Sequence, residues 1–130
     1  MNAIFIVDQE NGLAFNHRPQ SRDRMLMDDL KSLVDEPIQA ESYFGRMAAS
    51  YGVPITDTLE DDNGWVLFDH NPTPEEASQI DKILLYRFMD VEYPADQILS
   101  LDFSPFACIA QTEFAGSSHD CIVRKVFERA

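Results

Sequence analysis

The sequence predicts a mixed α/β fold in a single domain, residues 1–130, with parallel core strands, covering helices and a C-terminal antiparallel hairpin. The apolar run at residues 3–7 has the length of a buried strand and is too short for a helix. Strand-like and helix-like segments then alternate, which favours parallel strands covered by helices. Two apolar stretches, 106–112 and 121–127, close the chain around one loop and indicate the hairpin.

The first helix is predicted over residues 21–34, after a turn and a polar loop. Asn11-Gly12 forms the turn because both residues tolerate positive φ, and Ser21 is the expected helix cap. The helix ends before Pro37 because the residue preceding a proline avoids the α region. Its apolar side chains share one stripe: Leu26, Leu30, Leu33 and Val34.

The middle of the chain supplies two further strands and a second helix. Residues 37–40 indicate a short strand, and residues 41–51 indicate a helix that Gly52 stops. Residues 53–62 fit neither pattern, whereas residues 65–68 predict a strand after an Asn-Gly turn.

A third, short helix is predicted from Thr73 to about Ile80. Thr73 takes the cap position, a proline follows at the first helical position, and Glu76 completes a capping box. The apolar residues that follow predict a strand over 82–88.

The charge balance limits the classes of partner. The formal net charge is −13, which disfavours binding to nucleic acids and anionic membranes and permits binding to a basic protein. No apolar run approaches the ~18 residues of a membrane span, and the N-terminus lacks a signal-peptide pattern. We therefore expect a cytoplasmic location, in which Cys108 and Cys121 are two buried thiols of the C-terminal strands.

Four segments carry a family resemblance: residues 6–13, Asp23 near a helix start, residues 80–86 and residues 117–129. Their order and local pattern resemble the dihydrofolate reductase-like superfamily, in a shortened and divergent form, over about half of the chain. The resemblance implies the fold predicted above, and it implies that Asp23 is the substrate-binding carboxylate.

The same resemblance fails at the catalytic parts. Asp69-His70 stands where the family has a glycine pair that lets the backbone approach the cofactor pyrophosphate, and Arg22 replaces a tryptophan. The family's phosphate-binding turn has no counterpart, because Gly45-Arg46 falls inside a predicted helix. We therefore expect no bound cofactor and no standard reductase activity.

A cationic cluster in this acidic chain is the candidate ligand site. Its members are His17, Arg18, Arg22, Asp23 and Arg24. Basic side chains beside a helix N-terminus favour a phosphate or carboxylate ligand. The alternative is that these arginines pair with the abundant carboxylates in a solvated network.

The remaining polar residues predict no chemistry. His17, His70 and His119 are too scattered for a zinc site, so we expect no bound metal. His119 stands beside Ser118 and Asp120, and neighbours on one loop cannot form a catalytic relay. We expect His119 to bond the backbone or Asp120.

Two functions remain open. The first is binding of a small anionic metabolite or nucleotide by a reductase-like domain, with Asp23 contacting a polar heterocycle or cation. The second is a small acidic interaction module, of the inhibitor or immunity type, that binds a basic protein through residues 57–62 and 75–81.

Overall fold

The computed structural model describes residues 1–59 and 61–130, so Glu60 of the acidic stretch lies outside the described residues. Three helices are present in this part of the chain: α1 (Arg24–Leu33), α2 (Ser42–Ser50) and α3 (Pro74–Gln79). The strands are β1 (Asn2–Val7), β2 (Gly12–Phe15), β3 (Arg18–Pro19), β4 (Ile38–Ala40), β5 (Ile55–Thr56), β6 (Trp65–Leu67), β7 (Lys82–Phe88), β8 (Gln97–Ile98), β9 (Phe106–Phe114) and β10 (Ile122–Arg129).

A seven-stranded mixed sheet, in the order β5-β4-β6-β1-β7-β10-β9, forms the centre of the molecule. β1 pairs in parallel with both β6 and β7, whereas β10 pairs antiparallel with β7 and β9. The predicted combination of a parallel core and a C-terminal antiparallel hairpin is therefore confirmed.

The two faces of β1 contribute to two separate hydrophobic clusters. Ile4 and Ile6 pack into the cluster that also contains the buried side chains of α1 and α2. Phe5 and Val7 belong to the cluster on the other face, with Leu99 from a loop. A strand covered on both faces has no polar alternation, which is why residues 3–7 read as one continuous apolar run.

The start of α1 differs from the prediction. The helix begins at Arg24, and Asp23 is its cap, accepting hydrogen bonds from the backbone of Met25 and Leu26. Ser21 lies two residues before that cap, outside any helix or strand. By contrast, α3 begins with the predicted capping box between Thr73 and Glu76.

A small second sheet, in the order β3-β2-β8, includes the two strands that residues 12–19 form. Asn16 and His17 both have positive φ, 51° and 64°, which places them in the tight turn between β2 and β3. The sequence predicted a loop here, because a two-residue strand leaves no periodic signal.

The cysteine prediction was wrong in one respect. Both thiols are free, but Cys108 is exposed and Cys121 is half-buried. Cys108 lies on β9, the edge strand of the sheet, where residues 107–113 are all exposed. In residues 1–59 and 61–130, no helix is both long enough and apolar enough to span a bilayer.

Candidate functional site

A cleft of about 680 Å³ lies between β3, the segment before α1, and α2. Its wall includes three arginines, Arg18, Arg22 and Arg46, together with Tyr43 and Ser21. We call it the arginine cleft. Two of its arginines come from the predicted cationic cluster, and α2 adds the third.

Tyr43 holds two of these arginines in place. The Arg18 guanidinium lies 4.7 Å from the centroid of the Tyr43 ring, and the Arg46 guanidinium lies 5.5 Å from it. Arg18 also donates a hydrogen bond of 3.4 Å to the Tyr43 hydroxyl. This bond and the charge of Arg18 lower the pKa of Tyr43. The ring therefore orients the cations without neutralising them.

In the part of the chain that the structure describes, carboxylates do not neutralise the arginines of the cleft. Within residues 1–59 and 61–130, no carboxylate oxygen lies within 4.0 Å of the charged nitrogens of Arg18, Arg22 or Arg46. The expectation that they form a solvated ion-pair network is therefore not met in the described part of the chain.

Three members of the predicted cluster lie outside the wall of this cleft. His17 is exposed in the β2–β3 turn. Arg24 extends over Tyr51, 5.5 Å from the ring centroid. The structure thus divides the five predicted residues: Arg18 and Arg22 line the cleft, whereas His17, Arg24 and Asp23 do not.

Asp23 is engaged entirely by protein. Its side chain is 0% exposed, and its carboxylate accepts a bond of 3.0 Å from His119 Nδ1. The backbone N–H groups of two helix residues and two loop residues complete its shell: Met25, Leu26, Ser117 and Ser118. Burial acts to raise the pKa of Asp23, but the hydrogen bond from His119 and those from the backbone outweigh it and lower the pKa. The carboxylate has no free face for a substrate.

The expectation that His119 bonds the backbone or Asp120 was wrong for its side chain, which bonds to Asp23. Its ring stacks on Phe88, with centroids 4.0 Å apart. Its other nitrogen, Nε2, lies 3.2 Å from Ser21 Oγ and 3.3 Å from the Tyr93 hydroxyl. These partners come from two stretches that are distant from His119 in the sequence, residues 21–23 and 88–93, so no local sequence pattern marks the contact.

A second polar cluster lies directly after β6, where the sequence placed Asp69-His70 in place of a glycine pair. His70 Nδ1 lies 2.7 Å from Asp69 Oδ1, and its Nε2 lies 3.0 Å from Glu76 Oε1. These residues and Glu41 line a cavity of about 140 Å³ beyond the carboxyl ends of β4 and β6. In the described ranges, no set of three or more His, Cys, Asp or Glu side chains is arranged to hold a metal ion.

Only the comparison with solved structures bears on the fold. No family model matches the chain, and no curated protein matches it by sequence. Among solved structures, 210 chains match. One is a dihydrofolate reductase from Enterococcus faecalis complexed with NADP(H) and RAB-propyl, with a TM-score of 0.64 and 10% identity, covering 98% of this chain and 95% of that chain. The chain therefore has a dihydrofolate reductase-like fold, as the sequence resemblance implied.

Proposed function

We propose that this chain binds a small anionic metabolite or nucleotide in the arginine cleft and lacks the standard reductase activity associated with its fold. The observation that carries the proposal is the convergence of Arg18, Arg22 and Arg46 on one open cleft, with no carboxylate partner in the described residues. Arginine is the side chain best suited to bidentate recognition of phosphate and carboxylate.

The size and the charge of the cleft both support an anionic ligand. Its volume of about 680 Å³ is that of a small-molecule site. The chain carries a net charge of −13, so its overall field repels anions. Three cations grouped on one wall, with a tyrosine ring holding two of them, create a local exception to that field.

The dinucleotide cofactor of the related fold does not fit this chain. At the carboxyl ends of β4 and β6, the side chains of Glu41, Asp69 and Glu76 line the cavity in which the resemblance places the cofactor pyrophosphate. Each carboxylate repels a phosphate charge by about 1 kcal/mol at 4 Å in a water-like medium. Asp69 and His70 stand where the resemblance places a glycine pair, so their side chains also occupy space that a close backbone approach requires.

The acidic-module alternative is weaker for residues 75–81. Glu76 is bonded to His70 and to the backbone of Thr73, and Asp81 pairs with the N-terminal ammonium group. These carboxylates are already engaged within the chain. Asp57, Asp61 and Asp62 are exposed, but exposed acidic residues are common in a chain of this charge.

Isothermal titration with inorganic phosphate, pyrophosphate and AMP tests the proposal. We expect Arg18→Ala/Arg22→Ala to weaken binding at least about tenfold, since each charge-assisted hydrogen bond is worth about 1.5–3 kcal/mol. Arg24→Ala/Lys125→Ala removes the same charge from outside the cleft and serves as the matched control. Equal losses in both variants, or no binding of any probe, contradict the binding proposal. Oxidation of NADPH by the purified chain in the presence of dihydrofolate contradicts the proposal that the chain lacks the standard reductase activity.

A further inference from the structure

We propose that Ser21 is a nucleophile, with His119 as its general base and Asp23 as the positioning residue, and that the chain hydrolyses carboxylic esters bearing an anionic group. The inference deepens the proposed function, because the arginine cleft supplies the site for that anionic group. It adds a chemical step that binding alone does not contain.

The geometry has the order that such a relay requires. Asp23 Oδ2 lies 3.0 Å from His119 Nδ1, and His119 Nε2 lies 3.2 Å from Ser21 Oγ. An ionised carboxylate only accepts hydrogen bonds, so Nδ1 carries a proton and donates it. In the neutral ring, the lone pair of Nε2 then faces the serine hydroxyl. Ser21 and Asp23 are two residues apart, and His119 approaches both from a loop about a hundred residues further along the chain. The base therefore lies between the nucleophile and the orienting group, as a relay needs.

Tyr93 completes the polar contacts of the serine. Its hydroxyl lies 3.4 Å from Ser21 Oγ, to which it donates, and 3.3 Å from His119 Nε2. A donor to the serine oxygen leaves the serine hydroxyl proton free to point at the imidazole. Tyr93 therefore favours the orientation in which His119 removes that proton.

The solvent exposure of the three relay side chains increases from the buried orienting group and base to the half-buried nucleophile. The side chains of Asp23 and His119 are 0% and 1% exposed, which excludes water from their bond. Ser21 is half-buried and lines the arginine cleft beside Arg18 and Arg22. The nucleophile thus meets the cleft, while the groups that activate it remain inside.

The reaction balances without a cofactor. Ser21 Oγ attacks the ester carbonyl carbon as its proton moves to His119 Nε2, and the carbonyl electron pair moves onto oxygen. Collapse of this tetrahedral species re-forms the carbonyl and breaks the bond to the alcohol, which leaves with the proton from His119. Water then attacks the acyl-serine in the same way, returning the proton to Ser21 and releasing the carboxylic acid. The guanidinium groups on the cleft wall hold the anionic group of the ester.

Two chromogenic esters test the proposal on the full chain: 3-acetoxy-4-nitrobenzoate, which is anionic, and 4-nitrophenyl acetate, which is neutral. We expect Ser21→Ala to lower kcat at least about 100-fold, the scale of a lost nucleophile–base pair. Ser78→Ala, which removes an exposed hydroxyl on α3 far along the chain from the relay, is the matched control and keeps wild-type turnover. A fluorophosphonate probe, located by peptide mass spectrometry, should label Ser21 in the wild type.

Asp23→Asn separates positioning from mere structural support. At a temperature where circular dichroism shows the variant folded, we expect kcat to fall with KM nearly unchanged. The Arg18→Ala/Arg22→Ala variant should raise KM for the anionic ester and leave turnover of the neutral ester unchanged.

The outcomes distinguish the two proposals. Phosphate binding without hydrolysis or labelling that depends on Ser21 overturns the relay and leaves the binding function intact. Hydrolysis that depends on Ser21 but is insensitive to the arginines, in a chain that binds no phosphate, overturns the binding function and the anionic preference. Phosphate binding by Ser21→Ala, together with loss of its ester hydrolysis, supports both.

Discussion

The carboxylate of Asp23 and the imidazole of His119 lie 96 residues apart in the chain and 3.0 Å apart in the fold, with both side chains buried. Their bond joins the N-terminus of α1 to the loop that precedes β10. The same carboxylate caps the helix and accepts the backbone N–H groups of Ser117 and Ser118. One side chain therefore fixes the helix start, the loop and the imidazole together.

Asp23→Asn should destabilise the fold. Asparagine still caps a helix, but it removes the charge and replaces one acceptor oxygen with a donor that faces other donors. We expect a loss of about 2–4 kcal/mol in the free energy of unfolding, measured by urea denaturation. Asp28→Asn alters an exposed carboxylate on the same helix, paired with Lys31, and should change stability by less than about 0.5 kcal/mol. Equal losses of unfolding free energy in Asp23→Asn and Asp28→Asn would contradict a stabilising role for the buried hydrogen bonds of Asp23.

The cost of Asp23→Asn should depend on pH. The pKa of Asp23 is lowered in the folded state, so its contribution is complete above the unfolded value of about 3.9 and is lost as pH falls towards the folded value. The stability gap between wild type and variant should therefore be constant from pH 5 to 7 and shrink below about pH 4. Urea titrations across this range measure it, and a gap that grows in acid contradicts the assignment.

Gly116→Ala should destabilise the fold through the contacts of Asp23. A Cβ at this position meets the Asp23 carboxylate, with its Cγ only 2.9 Å away, and that carboxylate is locked by its hydrogen bonds. We expect a loss of about 1–3 kcal/mol. Gly45→Ala is the matched control, since its nearest contact is 3.4 Å and it lies within α2. Helix propensity should make that change neutral or stabilising by up to about 1 kcal/mol. Thermal unfolding should show a lower melting temperature for Gly116→Ala and an unchanged or higher one for Gly45→Ala.

His70 should give a second, weaker pH dependence of opposite sense. Burial acts to lower its pKa, but hydrogen bonds to Asp69 and Glu76 outweigh burial and raise the pKa. A raised folded pKa adds stability that is complete below the unfolded value of about 6.5 and is lost as pH rises through the folded value. The wild type should therefore lose more stability than His70→Gln between pH 6 and 9. His17→Asn, in an exposed turn, should follow the wild type, and parallel curves for all three proteins would contradict the prediction.

Side-chain periodicity and turn chemistry determined most of the architecture from the sequence alone. The apolar run of residues 3–7, the capping box at Thr73 and the closing hairpin each depend on contacts within a few residues or on burial of a whole segment. Arg18 and Arg22, which are neighbours in the sequence, line one cleft, whereas their role in binding a ligand stays a prediction.

Tertiary structure alone decided which polar groups meet. Asp23 looked like a ligand-facing carboxylate, yet the loop before β10 encloses it, and His119 bonds to Asp23 and Ser21 instead of its neighbour Asp120. Arg46 enters the cleft because α2 packs beside β3, and Cys108 is exposed because β9 is the edge of the sheet. Local sequence records the preference of each segment for helix, strand or turn, whereas the approach of distant side chains depends on how the whole sheet and its loops are packed.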